Sequence, residues 1–151
     1  MDAQSANQKD LQQKIELRLR TMRTLWIAML LSIGGYFVVT VFLHRSEDLR
    51  PNGTLSLILF GIGVLAVLIS LPLKSRSLSR AVEQQQVSLV QQGYILAWAV
   101  TEVAALMGLA DFFATNDRYY YIFFLIAALG QLLHFPRREH VVNASFKSSI
   151  V

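Results

Sequence analysis

Hydrophobic residues in this chain gather into four long stretches separated by short polar segments. The stretches cover residues 24–43, 54–73, 93–113 and 119–135 and contain 20, 20, 21 and 17 residues. At about 1.5 Å per residue, a helix over each would be roughly 26–31 Å long, close to the roughly 30 Å hydrocarbon core of a bilayer. None of them alternates between polar and apolar positions as a transmembrane β-strand does. The pattern predicts an all-α, four-helix transmembrane bundle that forms a single membrane domain over residues 1–151.

Positive charges are distributed unevenly around these four stretches. Eleven of the 14 Lys and Arg residues fall before the first stretch, between the second and third, or after the fourth. An up-and-down bundle places these three segments on one side of the membrane. Because Lys and Arg concentrate in cytoplasmic segments, we expect both termini in the cytoplasm of a multi-pass protein of the cell inner (plasma) membrane.

Composition agrees with a membrane protein and narrows the chemistry. Hydrophobic residues make up 54% of the chain and charged residues 16%, whereas soluble domains have roughly 45–50% and 25%. The absence of cysteine excludes disulfides, thiolate metal sites and thiol nucleophiles. The three histidines belong to opposite ends of the predicted bundle, so we expect no metal site and no cofactor. Neither a nucleic-acid partner nor a small-molecule substrate is expected.

The segment before the first stretch has the pattern of an amphipathic helix. Leu11, Ile15, Leu19 and Met22 recur at helical spacing within residues 1–23. Such a helix either lies on the membrane surface or runs straight into the first stretch. Its basic residues Arg18, Arg20 and Arg23 are candidate anchors to anionic lipid. A docking helix for a partner protein is the alternative interpretation.

Two further segments belong to the same predicted cytoplasmic side. Residues 74–92 contain a run of good helix formers around Glu83. We expect this segment to turn near residues 74–77 and then to extend the third stretch as a helix. Residues 136–151 are expected to form a cytoplasmic tail that is flexible from position 141 onward.

One acidic residue, Glu102, lies near the middle of the third stretch. Inserting an acid at that depth costs on the order of 2.5–3.5 kcal/mol, so the side chain needs a partner. Counting residues from the ends of the stretches places Ser32 and Tyr36 at a similar depth, and we expect a hydrogen bond from one of them. Small residues fall close to this level on all four stretches and predict tight helix packing there: Gly34, Gly35, Gly63, Ala66, Ala105, Ala127 and Ala128.

Three interpretations of Glu102 remain open from the sequence. In the first, it is a neutral, hydrogen-bonded acid that fixes the register of the helices. In the second, it is a proton or cation site. In the third, it contacts a partner subunit, a lipid or a quinone.

A local resemblance bears on the second interpretation. Residues 99–109 read Ala-Val-Thr-Glu-Val-Ala-Ala-Leu-Met-Gly-Leu. This segment resembles the carboxylate-bearing helix of ATP synthase proteolipids (subunit c), in which an intramembrane Glu carries the translocated ion. Proteolipids have that carboxylate on the second helix of a hairpin, or on the fourth of a doubled one, whereas Glu102 belongs to the third stretch here.

The whole chain is more similar to small bacterial four-span membrane proteins. These share an Ala-x-x-Glu-x-x-Ala-Leu-x-Gly-Leu span and a final Phe-Pro-Arg-Arg exit, which is residues 135–138 in this chain. The resemblance implies a fold and a cellular compartment, and it implies no activity.

These observations lead to an ordered set of functional expectations. We expect first a non-catalytic accessory or scaffold subunit of a membrane complex, with the lipid bilayer and other membrane subunits or further copies of the chain as partners. The alternative is a protein that translocates protons or cations through Glu102. A membrane enzyme ranks last, because a single intramembrane acid without a nucleophile, base or metal-ligand set is too little for catalysis.

Overall fold

The computed structural model describes residues 2–43, 52–115 and 118–145, with the side chains of residues 2–8, 10 and 11 outside that description. Residues 44–51, which are most of the segment between the first two apolar stretches, and residues 146–151 at the end of the predicted tail therefore lie outside the described residues. Within the described ranges the secondary structure is helical and contains no strand, which confirms the all-α prediction. The five helices are α1 (Asp2–Phe42), α2 (Gly53–Gln84), α3 (Val87–Ala114), α4 (Tyr121–Leu133) and α5 (Arg138–Ser145).

Three of these helices are long and apolar enough to cross a membrane. They are residues Gln12–Phe42 of α1, the whole of α2 and the whole of α3. The predicted membrane character of the chain is confirmed at this level. Helix α4 is apolar but has only 13 residues, or about 20 Å of helix, so its crossing does not follow from length alone.

Side-chain contacts define the direction of each helix. Gly108 of α3 faces Phe123 of α4. Thr101, earlier in α3, faces Gly130, later in α4, so the two helices run antiparallel. Contacts of Gly63 with Ala104 and of Gly93 with Ser77 make α2 and α3 antiparallel as well. Helix α1 runs antiparallel to α4, since Trp26 reaches Gln131 and Phe37 reaches Phe124. The four helices thus alternate in direction, and α1 begins at the end of the bundle where α4 finishes.

Helix α1 packs on one side of this arrangement. It packs closely against α3, α4 and α5, whereas within the described residues no Cα atom of α1 lies within 8 Å of a Cα atom of α2. Its inward side is a continuous stripe at helical spacing that passes through positions 15, 19, 22, 26, 29, 33, 36 and 40. Of the two arrangements left open for the amphipathic segment, the structure has the one in which it runs straight into the first apolar stretch.

The bundle end at which the chain begins has an apolar core of its own. Ile15 and Met22 of α1 pack there with Ala81 of α2, Val90 of α3 and Val141 of α5. We call this assembly of helix ends the basic end, since most described Lys and Arg residues lie around it. A second core cluster lies deeper in the bundle and joins α1, α3 and α4 through Ile33, Ala104, Ala105, Phe124 and Ala127.

The prediction of a turn near residues 74–77 is wrong. Helix α2 continues to Gln84, and the chain turns at Gln85, which has a left-handed φ of 52° and whose N–H bonds back to the carbonyls of Ala81 and Val82. Residues 74–84 contain neither Gly nor Pro, so nothing in them stops a helix. Pro72 does not end α2 either.

The expectation of a flexible tail from residue 141 is wrong for the part that the structure describes. Residues 138–145 form α5, in which Val141 and Ala144 are fully buried in the core of the basic end. Two apolar residues three positions apart are a weak sequence signal, but in the fold they meet a ready-made apolar surface.

The small residues predicted to pack at the level of Glu102 behave differently from one another. Gly34 and Gly35 are exposed, and a Cβ on either would meet no atom within 4 Å, so their predicted packing role is wrong. Both lie off the inward stripe of α1, because depth along a helix does not determine which way a residue faces. The others do enter the interior: Gly63, Ala105 and Ala127 are buried, and Ala66 and Ala128 are half-buried.

Candidate functional site

The carboxyl of Glu102, near the middle of α3, is held by two hydroxyl groups from one neighbouring helix. Ser32 Oγ donates to Glu102 Oε1 at 2.6 Å, and Tyr36 Oη donates to the same oxygen at 3.0 Å. Ser32 and Tyr36 lie one turn apart on α1 and therefore face α3 together. The sequence led us to expect one of these bonds, and the structure contains both.

This arrangement links α1 to the rest of the bundle with a specific register. The other contacts of the α1 stripe are largely apolar and would tolerate a shift along the helix axis, whereas two converging hydrogen bonds would not. Glu102 is half-buried. This geometry is compatible with either a structural or a conducting role.

A second polar group surrounds the C-terminal end of α4, and sequence analysis missed it. The last carbonyl groups of a helix have no partner within the helix itself. Here α1, α2 and α3 each supply a hydrogen-bond donor to this end of α4. Trp26 Nε1 of α1 donates to Gln131 O at 2.8 Å, Lys74 Nζ of α2 to Leu133 O at 3.3 Å, and Trp98 Nε1 of α3 to His134 O at 3.0 Å.

The imidazole of His134 belongs to the same group. Ser70 Oγ donates to Val67 O at 2.6 Å and lies 2.7 Å from His134 Nε2. Since the serine proton is already committed, His134 donates from Nε2 and keeps Nδ1 free of a proton. His134 is fully buried. We call this set of donors and carbonyls the α4 cap.

Several buried polar atoms beside the α4 cap have no hydrogen-bond partner within the described chain. They are His134 Nδ1, Thr101 Oγ1 and both side-chain polar atoms of Gln131. Thr101 packs against Gly130, so it lies next to Gln131 across the α3–α4 interface. Orphaned polar atoms of this kind are uncommon in native interiors and mark places where water or a ligand is accommodated.

A third polar group lies at the basic end. Tyr94 Oη lies 2.6 Å from His140 Nδ1 and accepts the backbone N–H of Arg137 at 3.3 Å. Burial lowers the pKa of His140, the positive charges of Lys74 and Arg137 lower it further, and Glu139 raises it. His140 is therefore mainly neutral near pH 7.

The candidate lipid anchors lie on the outer surface of α1. Arg18, Arg20 and Arg23 are all exposed. The guanidinium of Arg23 lies over the ring of Phe135 at 5.8 Å from its centroid, a distance suited to a cation–π contact. The three side chains are thus placed near the level at which the apolar part of α1 begins.

Comparison with known proteins does not identify the chain: no protein-family model, curated protein or solved structure matches it. In the residues that the structure describes, no group of three or more His, Cys, Asp or Glu side chains is placed to hold a metal ion.

Proposed function

We propose that this protein is a non-catalytic accessory or scaffold subunit of a bacterial inner-membrane complex, with four membrane spans and both termini in the cytoplasm. The observation that carries the proposal is the packed helical core of the basic end. Helices α1, α2, α3 and α5 pack there around a shared core, so that the bundle presents an ordered helical surface instead of simple connecting loops.

The length of α1 supports a docking role for this surface. The helix has 41 residues and is about 61 Å long, roughly twice the thickness of a hydrocarbon core. One half is therefore available outside the bilayer. Leu17, in this outer half, keeps 57% of its surface exposed among charged neighbours such as Lys14 and Arg18. An exposed leucine on a charged helix suits contact with another protein.

Four spans are supported by the environment of α4. A short helix is tolerated at membrane depth when other parts of the protein bind its terminal polar groups. The α4 cap supplies donors of this kind from three helices. In addition, residues 119–135 form a longer apolar stretch than α4 itself. With four crossings, the uneven distribution of Lys and Arg places the basic end in the cytoplasm.

Single-cysteine labelling tests the topology cleanly, because the natural chain contains no cysteine. Lys14→Cys, Arg118→Cys and Asn143→Cys are expressed separately, and intact and permeabilised cells are treated with a membrane-impermeant maleimide. We expect Arg118→Cys to react in intact cells and the other two only after permeabilisation. Reaction at both Arg118→Cys and Asn143→Cys in intact cells would show that α4 does not cross, and would refute the four-span proposal.

Site-specific photocrosslinking tests the scaffold role. A photoreactive amino acid replaces Leu17 on the outer half of α1, and a matched control replaces Leu31, which is 69% exposed within the apolar stretch. We expect the Leu17 position to give one protein adduct of defined mass in native membranes and the Leu31 position to give mainly lipid adducts. If Leu17 yields no protein adduct and the purified protein migrates as a lone monomer in mild detergent, the scaffold proposal fails.

A second candidate, proton or cation translocation through Glu102, is favoured by the unpaired polar atoms of Thr101, Gln131 and His134. These atoms lie in the bundle interior toward the basic end from Glu102 and provide sites for water. Proton flux is measured in proteoliposomes for the natural chain, for Glu102→Gln and for the control Glu139→Gln on α5. Loss of flux only in Glu102→Gln would support conduction. Flux of the natural chain at the level of empty liposomes would eliminate it.

A further inference from the structure

A polar cavity lies between α2 and the connection from α4 to α5. Its volume is about 670 Å³, and its lining includes Lys74, Ser75, Ser79, Leu133, Arg137 and His140. Lys74 follows directly after the apolar stretch 54–73, and Leu133 is the last residue of α4. The cavity therefore lies where the apolar surface of the bundle gives way to its basic end. We call it the interfacial cavity.

The cations of the interfacial cavity are held in place by the fold. Lys74 Nζ donates to Leu133 O at 3.3 Å and lies 5.4 Å from the centroid of the Tyr94 ring. One of its three donor hydrogens is thus used, and two remain. The backbone N–H of Arg137 is bonded to Tyr94 Oη, which fixes the point from which its guanidinium extends.

The third donor is the ring of His140. Tyr94 Oη lies 2.6 Å from His140 Nδ1 and 3.5 Å from the carbonyl oxygen of Phe135, so its proton is donated to the much closer imidazole nitrogen. The proton of the neutral imidazole is then on Nε2, so this ring brings an N–H to the cavity wall. An ammonium, a guanidinium and an imidazole N–H from three different elements make a donor set suited to phosphate oxygens.

Charge in the interfacial cavity is not balanced. Lys74 and Arg137 are two cations, and Glu83 is the single carboxylate in its lining. Burial lowers the pKa of His140 most, the charges of Lys74 and Arg137 lower it further, and Glu139, which is outside the lining, partly opposes them. An anion entering the cavity would relieve this repulsion.

We propose that the interfacial cavity binds the phosphate of an anionic phospholipid headgroup. The surface next to the cavity identifies the ligand as a lipid. Leu129, Leu132 and Leu133 of α4 are all more than half exposed and continue from the cavity wall into the apolar part of the bundle. A headgroup phosphate in the cavity would leave its acyl chains along these leucines, whereas a free phosphate would make no use of them. Basic pockets between membrane helices at this level bind such headgroups.

The test uses the two natural tryptophans as energy donors. Trp26 and Trp98 both belong to the α4 cap, close to the cavity. Full-length protein in uncharged detergent is titrated with phosphatidylglycerol or phosphatidylcholine, each with a dansyl group on one acyl chain, and energy transfer is recorded. Lys74→Gln/Arg137→Gln is compared with the matched double variant Arg76→Gln/Arg80→Gln, which removes two exposed charges of α2 outside the cavity.

We expect phosphatidylglycerol to bind more tightly than phosphatidylcholine, and Lys74→Gln/Arg137→Gln to weaken its binding by about 25-fold, since each basic group near anionic lipid contributes roughly fivefold. The Arg76→Gln/Arg80→Gln control should weaken phosphatidylglycerol binding by less than about fivefold. Equal losses in both double variants would mean diffuse attraction and would overturn the site. Equal binding of the two lipids would overturn it as well.

Two further arms separate the remaining explanations. Glu83→Gln removes the single carboxylate of the cavity lining and is expected to tighten phosphatidylglycerol binding about fivefold, an effect that a merely unfolded variant could not produce. Inorganic phosphate is added as a competitor. Displacement of the labelled lipid by phosphate at equal concentration would assign the cavity to a free anion and refute the lipid. The proposal rests on membrane embedding and would survive failure of the scaffold role.

Discussion

A single methyl group added at Gly108 is expected to push α3 and α4 apart. An alanine Cβ there would lie 2.6 Å from Phe123 Cβ and 3.3 Å from the backbone oxygen of Tyr120. Ordinary carbon–carbon contacts need about 3.5–4.0 Å. Because Phe123 Cβ is attached directly to the backbone, a change of rotamer cannot relieve the contact, and the helices must separate locally by about 1 Å. Gly34→Ala is the matched control, since its Cβ would meet no atom within 4 Å.

The expected magnitudes follow from two opposing effects. Replacing Gly by Ala within a helix stabilises it by up to about 1 kcal/mol, and this gain is available at both positions. Overpacking at Gly108 costs about 1–3 kcal/mol. We therefore expect Gly34→Ala to raise the free energy of unfolding by up to about 1 kcal/mol, and Gly108→Ala to lower it by about 0–2 kcal/mol. The two identical chemical changes should differ by about 1–3 kcal/mol.

The assay is reversible unfolding in mixed micelles of increasing denaturing-detergent fraction, followed by tryptophan fluorescence. Gly63→Ala is a third arm: its Cβ would lie 3.4 Å from Ala104 Cα, at the lower edge of ordinary contact, so a small packing cost should offset the gain in helix propensity and leave the variant nearly neutral. If Gly34→Ala destabilises the protein as much as Gly108→Ala does, the assignment of outward and inward glycines is incorrect. Such a result would restore the close packing at Gly34 that the sequence suggested.

Three further predictions use the same unfolding assay. Ser32→Ala and Tyr36→Phe should each lower the free energy of unfolding by about 0.5–1 kcal/mol, as the loss of a hydrogen bond between membrane helices does. The double variant should lose more than the sum of the two, because Glu102 Oε1 then has no donor. Additive losses would argue against the shared acceptor. Gln85→Gly should stabilise by about 1 kcal/mol, because glycine adopts the observed positive φ without steric cost; reduced stability would contradict the left-handed turn. Burial and nearby cations hold the pKa of His140 below its ordinary 6.5. The unfolded chain therefore binds more protons than the folded one, and the free energy of unfolding should fall as the pH drops below about 6.5. A pH profile of stability that is unchanged in His140→Gln would disprove this.

Features that depend on distance along a helix were predictable from the sequence. The apolar stretches led to helices because their lengths match a bilayer and their polarity does not alternate. Counting depth brought Ser32 and Tyr36 to Glu102, since α1 and α3 run in the same direction and share one level. No knowledge of side-chain packing was needed for that inference.

Features that depend on rotation about a helix axis were not predictable in this way. Gly34 has the depth of Glu102 but faces outward, and only the positions of Ile33 and Tyr36 on the inward stripe reveal this. The α4 cap requires two indoles and an ammonium to meet backbone carbonyls, and every helix has unpaired carbonyls at its end. The buried side of α5 exists only because α2 and α3 continue beyond the apolar stretches.

The α4 cap has a consequence for biogenesis. The whole apolar stretch 119–135 has 17 residues, at the short end of the roughly 17–25 that a membrane-spanning helix needs, and three helices synthesised earlier supply donors for the C-terminal end of α4. If α4 crosses the membrane as we propose, the earlier helices help to complete this final crossing by binding the C-terminal end of α4. Replacing Trp98 of the α4 cap would then reduce the membrane integration of α4, although the sequence of α4 itself is unaltered.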